Sequence, residues 1–360
     1  MQGDFFAPEV NPAMVVLARE ARGLNQSTVA LALKITQAHY SKLEAGLTPV
    51  SDHHLQRLSG VLHLPSSFFA RTDPVYGPSV AEFFHRKRQA VSQRLLSQLH
   101  ATLNMRRMEI ARLLRAVDIG DLNVPRFSTE DLDGPEAVAD AMRAAWMLPS
   151  GPIDDLVAHL EAAGILVMEL DFGTPLVDAV SQWVPGLLPM LFVNTAAPGD
   201  RLRLTVAHEL GHMVMHREPH AQMEAEANAF AAAFLMPPRD ILPDFHRVSL
   251  ERLAALKPYW KVSMQAILVH AYRLGRISEH HYQRLWAEMG KAGYRRREPA
   301  ELEVARESPK LLAQIVDVHL NDLSYSPADL GALVNLIEDE AIGIYLSRRG
   351  SGSRRLRIVT

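Results

Sequence analysis

The sequence predicts a mainly α, multidomain protein: an all-helical amino-terminal module, a central α+β domain and a helical carboxyl-terminal extension. Three observations predict it. Apolar residues recur at three- and four-residue steps through the first 70 positions, an order of helix, strand, strand and helix follows residue 152, and helical spacing returns after about residue 240. With 360 residues, 48% hydrophobic and 22% charged, the chain has a globular composition and the length for two or three domains. The expected divisions are 11–70, a linker and basic helical segment at 71–134, a central domain at 135–240, a helical domain at 241–345 and a flexible tail at 346–360.

The chain has no cysteine, which excludes disulfides, thiolate nucleophiles and Cys-ligated metals, so any metal must be held by His, Asp or Glu. The start, MQGDFFAPEVNP, has no basic lead into an apolar run, and no window reaches the roughly 18 apolar residues that cross a bilayer. A cytoplasmic protein with no membrane partner is expected. The net charge of -3 gives no global argument for a polyanion partner. Locally, Arg86, Lys87, Arg88, Arg94, Arg106, Arg107, Arg112 and Arg115 stand against Glu109 alone, which predicts a solvated helix face, extra phosphate contacts or a dimerisation segment.

In the first module, Arg19, Gly23, Leu24, Gln26, Ala30, Leu43, Glu44 and Gly46 stand where a helix-turn-helix needs them. Gln26 opens the first helix, Ala30 is small enough for a close crossing, and the turn before Thr36 aims residues 37–45 outward as a recognition helix. Over about 55 residues this resembles the phage-repressor-like (XRE) helix-turn-helix family. The resemblance implies that Gln37, Ala38, His39 and Lys42 face base edges of a double-stranded DNA operator, with Gln26 and Ser41 near phosphates. One short helix contacts few bases, so a homodimer on paired half-sites is expected.

Residues 152–164 read as an amphipathic helix stopped at Gly164, ILVMEL as a strand and LLPMLFVN as a second strand, either internal or an edge able to pair with an extended peptide. Asp200 then reads as the N-cap of a helix through LRLTVAHELGHMVMH. His208 and His212 lie about 40 degrees apart on that helix, with Glu209 on the same face. Two imidazoles one turn apart bind one Zn²⁺, and the adjacent carboxylate serves as general base toward water. A third ligand is expected from QMEAEANAFAAAFLMPP, a helix ended by Pro237 and Pro238. Glu224 shares its face with Ala227, Asn228 and Ala231 and is the preferred ligand, with Glu226 the alternative; Asn228 would orient a ligand histidine. His216, which continues the stripe, reads as a helix-end histidine interacting with the dipole, or as a pocket group.

From HELGH through EAEANAFAAAFLMP the sequence resembles the ImmA/IrrE family of zincin-like, gluzincin-type peptidase domains. The resemblance implies zinc on His208, His212 and Glu224, with Glu209 as catalytic base. Across the chain, the order of modules looks like fused transcriptional regulators carrying this domain. Two helices separated by Leu274 to Ser278 follow, and His270, His280 and His281 read as surface or capping residues. The expected function is a DNA-binding regulator whose zinc peptidase domain cuts a partner regulatory protein or itself. The alternatives are a ligand-sensing repressor and an antitoxin in which nothing is cleaved.

Overall fold

The computed structural model describes residues 9–77, 91–347 and 356–358. These fall into two compact units, one holding the described residues up to 120 together with those from 310 onward, the other holding 121–309.

The first unit opens with α1 (Pro12–Ala21), α2 (Gln26–Leu33), α3 (Gln37–Glu44) and α4 (Asp52–Leu62). Each helix starts where a side chain can accept an otherwise unpaired N–H: Asn11, Asn25, Thr36 and Ser51 are the N-caps. Lys34, in the left-handed region, ends α2 and turns the chain into α3. Val29, Ala30, Leu33, Tyr40, Leu43, Leu58 and Leu62 form the core between them. Inside that core Arg19 Nε donates to Glu44 Oε1 at 2.5 Å, tying α1 to α3.

α5 (Gln93–Leu113) follows, then a short strand β1 (Val117–Asp118). The expectation of a solvated or phosphate-binding basic face is corrected here for Arg106, Arg107 and Arg112; Arg86, Lys87 and Arg88 lie outside the described residues. Arg106 is buried against Glu109, Arg107 is buried against Asn104 and the Pro74 carbonyl with its guanidinium over the Tyr76 ring, and Arg112 pairs with Asp73. Arg94, which donates to the Gly23 carbonyl, and Arg115 are exposed. Arg106, Arg107 and Arg112 serve α5 as an internal strut because their stems pack while their heads find fixed partners.

The second unit contains α6 (Pro135–Ala145), α7 (Leu156–Ala162), the strands β2 (Leu166–Leu170), β3 (Ala179–Gln182) and β4 (Met190–Asn194), then α8 (Gly199–Met215), α9 (Met223–Leu235), α10 (Pro238–Ile241), α11 (Leu250–Trp260), α12 (Met264–Arg273) and α13 (Glu279–Lys291). The sheet order is β2-β4-β3, with β2 parallel and β3 antiparallel to β4. LLPMLFVN therefore supplies the central strand, and an edge role for it is excluded because both its sides are paired. Asp200 is not an N-cap: α8 begins at Gly199, and the Asp200 carboxylate is buried against Lys257 Nζ at 2.5 Å. His270 is buried, with Nε2 2.9 Å from the Met236 carbonyl, so it is neither a surface nor a capping group.

The chain then returns to the first unit as α14 (Leu311–Asp317), α15 (Pro327–Val334) and α16 (Glu338–Ala341), with π-helical turns at Val318–Asp322 and Ile342–Leu346. Tyr345 Oη donates to Glu109 at 2.5 Å, His319 Nε2 lies 2.8 Å from the Leu113 carbonyl, and Arg22 pairs with Glu340 at 2.6 Å. Of residues 346–360, expected to be a flexible tail, 348–355 and 359–360 lie outside the described residues, while β5 (Arg357–Ile358) pairs antiparallel with β1.

Candidate metal centre and nucleic-acid interface

α8 and α9 approach closely because the contact is made of small residues. A Cβ built on Gly211 would sit 2.9 Å from Phe230 Cδ1 and 3.4 Å from Ala227 Cα. This crossing brings the carboxylate of Glu224 to the imidazoles of α8. His212 Nε2 lies 3.2 Å from Glu224 Oε1, His208 Nε2 lies 3.8 Å from Glu224 Oε2, and the two Nε2 atoms are 2.9 Å apart. Ligand atoms about 2.0–2.1 Å from one tetrahedral ion stand about 3.3 Å from each other, so the trio has the spacing of a zinc site as well as its N,N,O donor set. All three ligand atoms fall within 4.8 Å of one another.

Around the trio, Asn228 Nδ2 donates to the Glu224 carbonyl at 2.6 Å, which turns its Oδ1 toward His208 Nδ1 at 3.2 Å. That leaves Nε2 of His208 for a cation. Burial pushes the His208 imidazole below the ordinary histidine range, with the neighbouring His212 adding to the effect, and the neutral form is the one that ligates.

Glu209 is buried and its Oε2 accepts from both the backbone N–H of Ser181 at 3.0 Å and the Ser181 hydroxyl at 2.6 Å. Ser181 lies on β3, an edge of the sheet. Sequence reasoning missed this residue because AVSQ is too short a strand to announce itself by period. His216 is the second surprise. Its side chain is 1% exposed, and it stands 2.9 Å from both His212 and Glu226 instead of interacting only with the helix dipole. Burial lowers its pKa to about 4. His216, His220 and Glu226 make a second group of three with ligand spacing.

In the first unit, Gln37, Ala38 and Lys42 are exposed along α3, while His39 and Ser41 are half-buried. Gln26 Nε2 donates to Glu44 at 2.7 Å and Gln26 Oε1 accepts from Gln37 Nε2 at 2.7 Å. The chain Arg19–Glu44–Gln26–Gln37 thus runs from the core to the exposed face of α3. Gln37 retains its oxygen and a second amide proton, the pair an adenine edge requires.

Residues 17–69 match the helix-turn-helix family, and residues 160–272 match the peptidase family described as the IrrE N-terminal-like domain. The two matches fit the expected fusion. No curated protein matches the chain. The helix-turn-helix match, which spans α1 to α4, supports a DNA-binding regulator, and the IrrE-like match, which spans α8 and α9, supports a peptidase-like domain. Among the described residues no helix is long and apolar enough to cross a membrane.

Proposed function

We propose that the chain is a cytoplasmic, dimeric DNA-binding transcriptional regulator whose IrrE-like domain is a zinc-dependent peptidase acting on a partner regulatory protein or on the chain itself. The observation that carries this reading is the meeting of His208, His212 and Glu224 at ligand distance beside the buried carboxylate of Glu209. When bound there, zinc supplies Lewis acidity toward a scissile carbonyl and toward water. His208, His212 and Glu224 would hold the ion, and Asn228 orients His208. Glu209, its Oε2 fixed by Ser181, receives the proton of the attacking water on Oε1 and returns it to the leaving amine. Gln37, Ala38, His39 and Lys42 meet the bases of the operator, with Gln26 and Ser41 near its phosphates.

Glu209→Gln keeps the shape of the site and removes the base. Zinc content and operator affinity are expected to stay at parental levels while cleavage of the partner and the regulatory response are lost. A variant that regulates normally would refute the peptidase assignment.

A second reading, ligand sensing without cleavage, is favoured by a cavity of about 790 Å³ in the second unit, bordered by Leu204, Asn228, Arg273, Trp286 and Arg297. That size suits a small organic ligand. An unchanged response in Glu209→Gln together with a lost response in Arg273→Gln would select it.

A further inference from the structure

α8 carries imidazoles one turn apart, His208 and His212, and the four-residue series continues past its end to His216 and His220. Successive ring centres lie 4.6, 5.0 and 5.1 Å apart. Two carboxylates of α9 meet the series: Glu224 at the first two rings, and Glu226 at His216 and His220, 2.9 and 3.6 Å away. By spacing alone, each half could hold a cation.

The protons distinguish the halves. His212 Nδ1 and His216 Nδ1 are 2.9 Å apart, a contact that requires one hydrogen between them. A neutral imidazole has one N–H and one bare nitrogen. Nε2 of His212 faces His208 and Glu224. If His212 ligates through that atom, its proton sits on Nδ1 and is donated to Nδ1 of His216. His216 must then carry its own proton on Nε2, where Glu226 Oε2 accepts it at 2.9 Å. With its side chain 1% exposed, His216 has no access to solvent that would substitute for either partner.

We infer that His216 and Glu226 form a relay that fixes the tautomer and ring orientation of His212, and that this use of His216 Nε2 leaves the second His–His–Glu group unable to bind a metal of its own. The relay rests on the proposed zinc ligation by His208, His212 and Glu224. It makes Glu226 a positioning residue, two places from the ligand on the same helix. Its negative charge, transmitted through His216, makes His212 Nε2 a better donor to the ion.

Zinc content after dialysis and zinc affinity by chelator competition, measured on the full chain, test the inference. The parent and His220→Ala are each expected to hold one zinc per chain with equal affinity. His216→Phe, which keeps the ring volume without the nitrogen, should bind about 10- to 100-fold more weakly. His216→Asn, whose Oδ1 replaces Nδ1 as acceptor, should recover most of that loss, and Glu226→Gln should lose less than Glu226→Ala. With cobalt substituted for zinc, the d–d absorption of His216→Phe should shift while that of His220→Ala overlays the parent. Parental affinity in His216→Phe, or a second zinc that disappears in His220→Ala, would overturn the relay and leave the first site standing. A parent that binds no zinc would overturn both.

Discussion

Arg19 and Glu44 are far apart in sequence and meet with side chains 12% and 4% exposed, so neither charge has much water to fall back on. Glu44→Ala is expected to cost the first unit about 3 kcal/mol, because Arg19 loses its closer and more buried counter-charge and keeps only the half-buried Glu20 at 3.6 Å. Gln26 loses its anchor as well, so operator affinity should fall in parallel; urea unfolding and a DNA-binding titration would measure the two. In the second unit, burial drops His270 to about 4 from its ordinary 6.5. The folded chain then keeps this ring neutral while the unfolded chain takes a proton, so stability falls as pH drops from about 6.5 to about 4, by on the order of 3 kcal/mol. His270→Gln, which can still donate to the Met236 carbonyl but does not titrate, should flatten the dependence of the unfolding midpoint on pH across that window. Residue by residue, the pairing of His208 and His212 on one helix face was legible in the HELGH spacing, whereas the burial of His270 and the pairing of His216 with Glu226 were not. Sequence shows which residue types share a helix face but not which second helix covers it.

At the scale of elements, α8 and α9 work as a pair only at their present separation. Gly211→Ala would place a methyl against Phe230 and the Ala227 backbone, which is expected to cost about 1–3 kcal/mol and to draw Glu224 away from the two imidazoles. Thermal unfolding should show the first effect and weaker zinc retention under chelator the second. α3 and α5 both carry basic residues and should respond differently to substitution. Lys42→Ala on exposed α3 is expected to weaken operator binding and reduce the salt dependence by about one counterion, with unchanged stability. Arg107→Gln in α5 should do the reverse, lowering the unfolding midpoint while leaving the salt slope as it was, since Arg107 is already committed to Asn104, Pro74 and Tyr76. The helical period predicted most helices, including the stop of α7 at Gly164, but the charge count on α5 misled, because a run of arginines looks the same whether its partners are phosphates or its own fold.

At the scale of the whole molecule, the residues after 310 complete the unit that contains the helix-turn-helix. His319 and Tyr345 reach polar atoms on α5, Glu340 pairs with Arg22 on the cap of α1, and Asn335 accepts from Ser67 at 2.9 Å. A chain ended after Pro309 would leave Glu109 and the Leu113 carbonyl without these partners. It is expected to lose stability and operator binding in the first unit while the zinc affinity proposed for the second is unchanged, which separate unfolding and metal measurements would show.

What the sequence determined by itself was local: the helical periods, the helix-turn-helix and the HELGH helix, all set by spacings within a few turns of backbone. The tertiary structure decided what depends on distant segments meeting: that β4 is central and β3 the edge, that Ser181 holds Glu209, that Arg106 and Arg107 of α5 are internal, and that the carboxyl-terminal helices close on the amino-terminal unit. Those outcomes follow from burial, which forces each polar atom removed from water to find a partner wherever in the chain one stands.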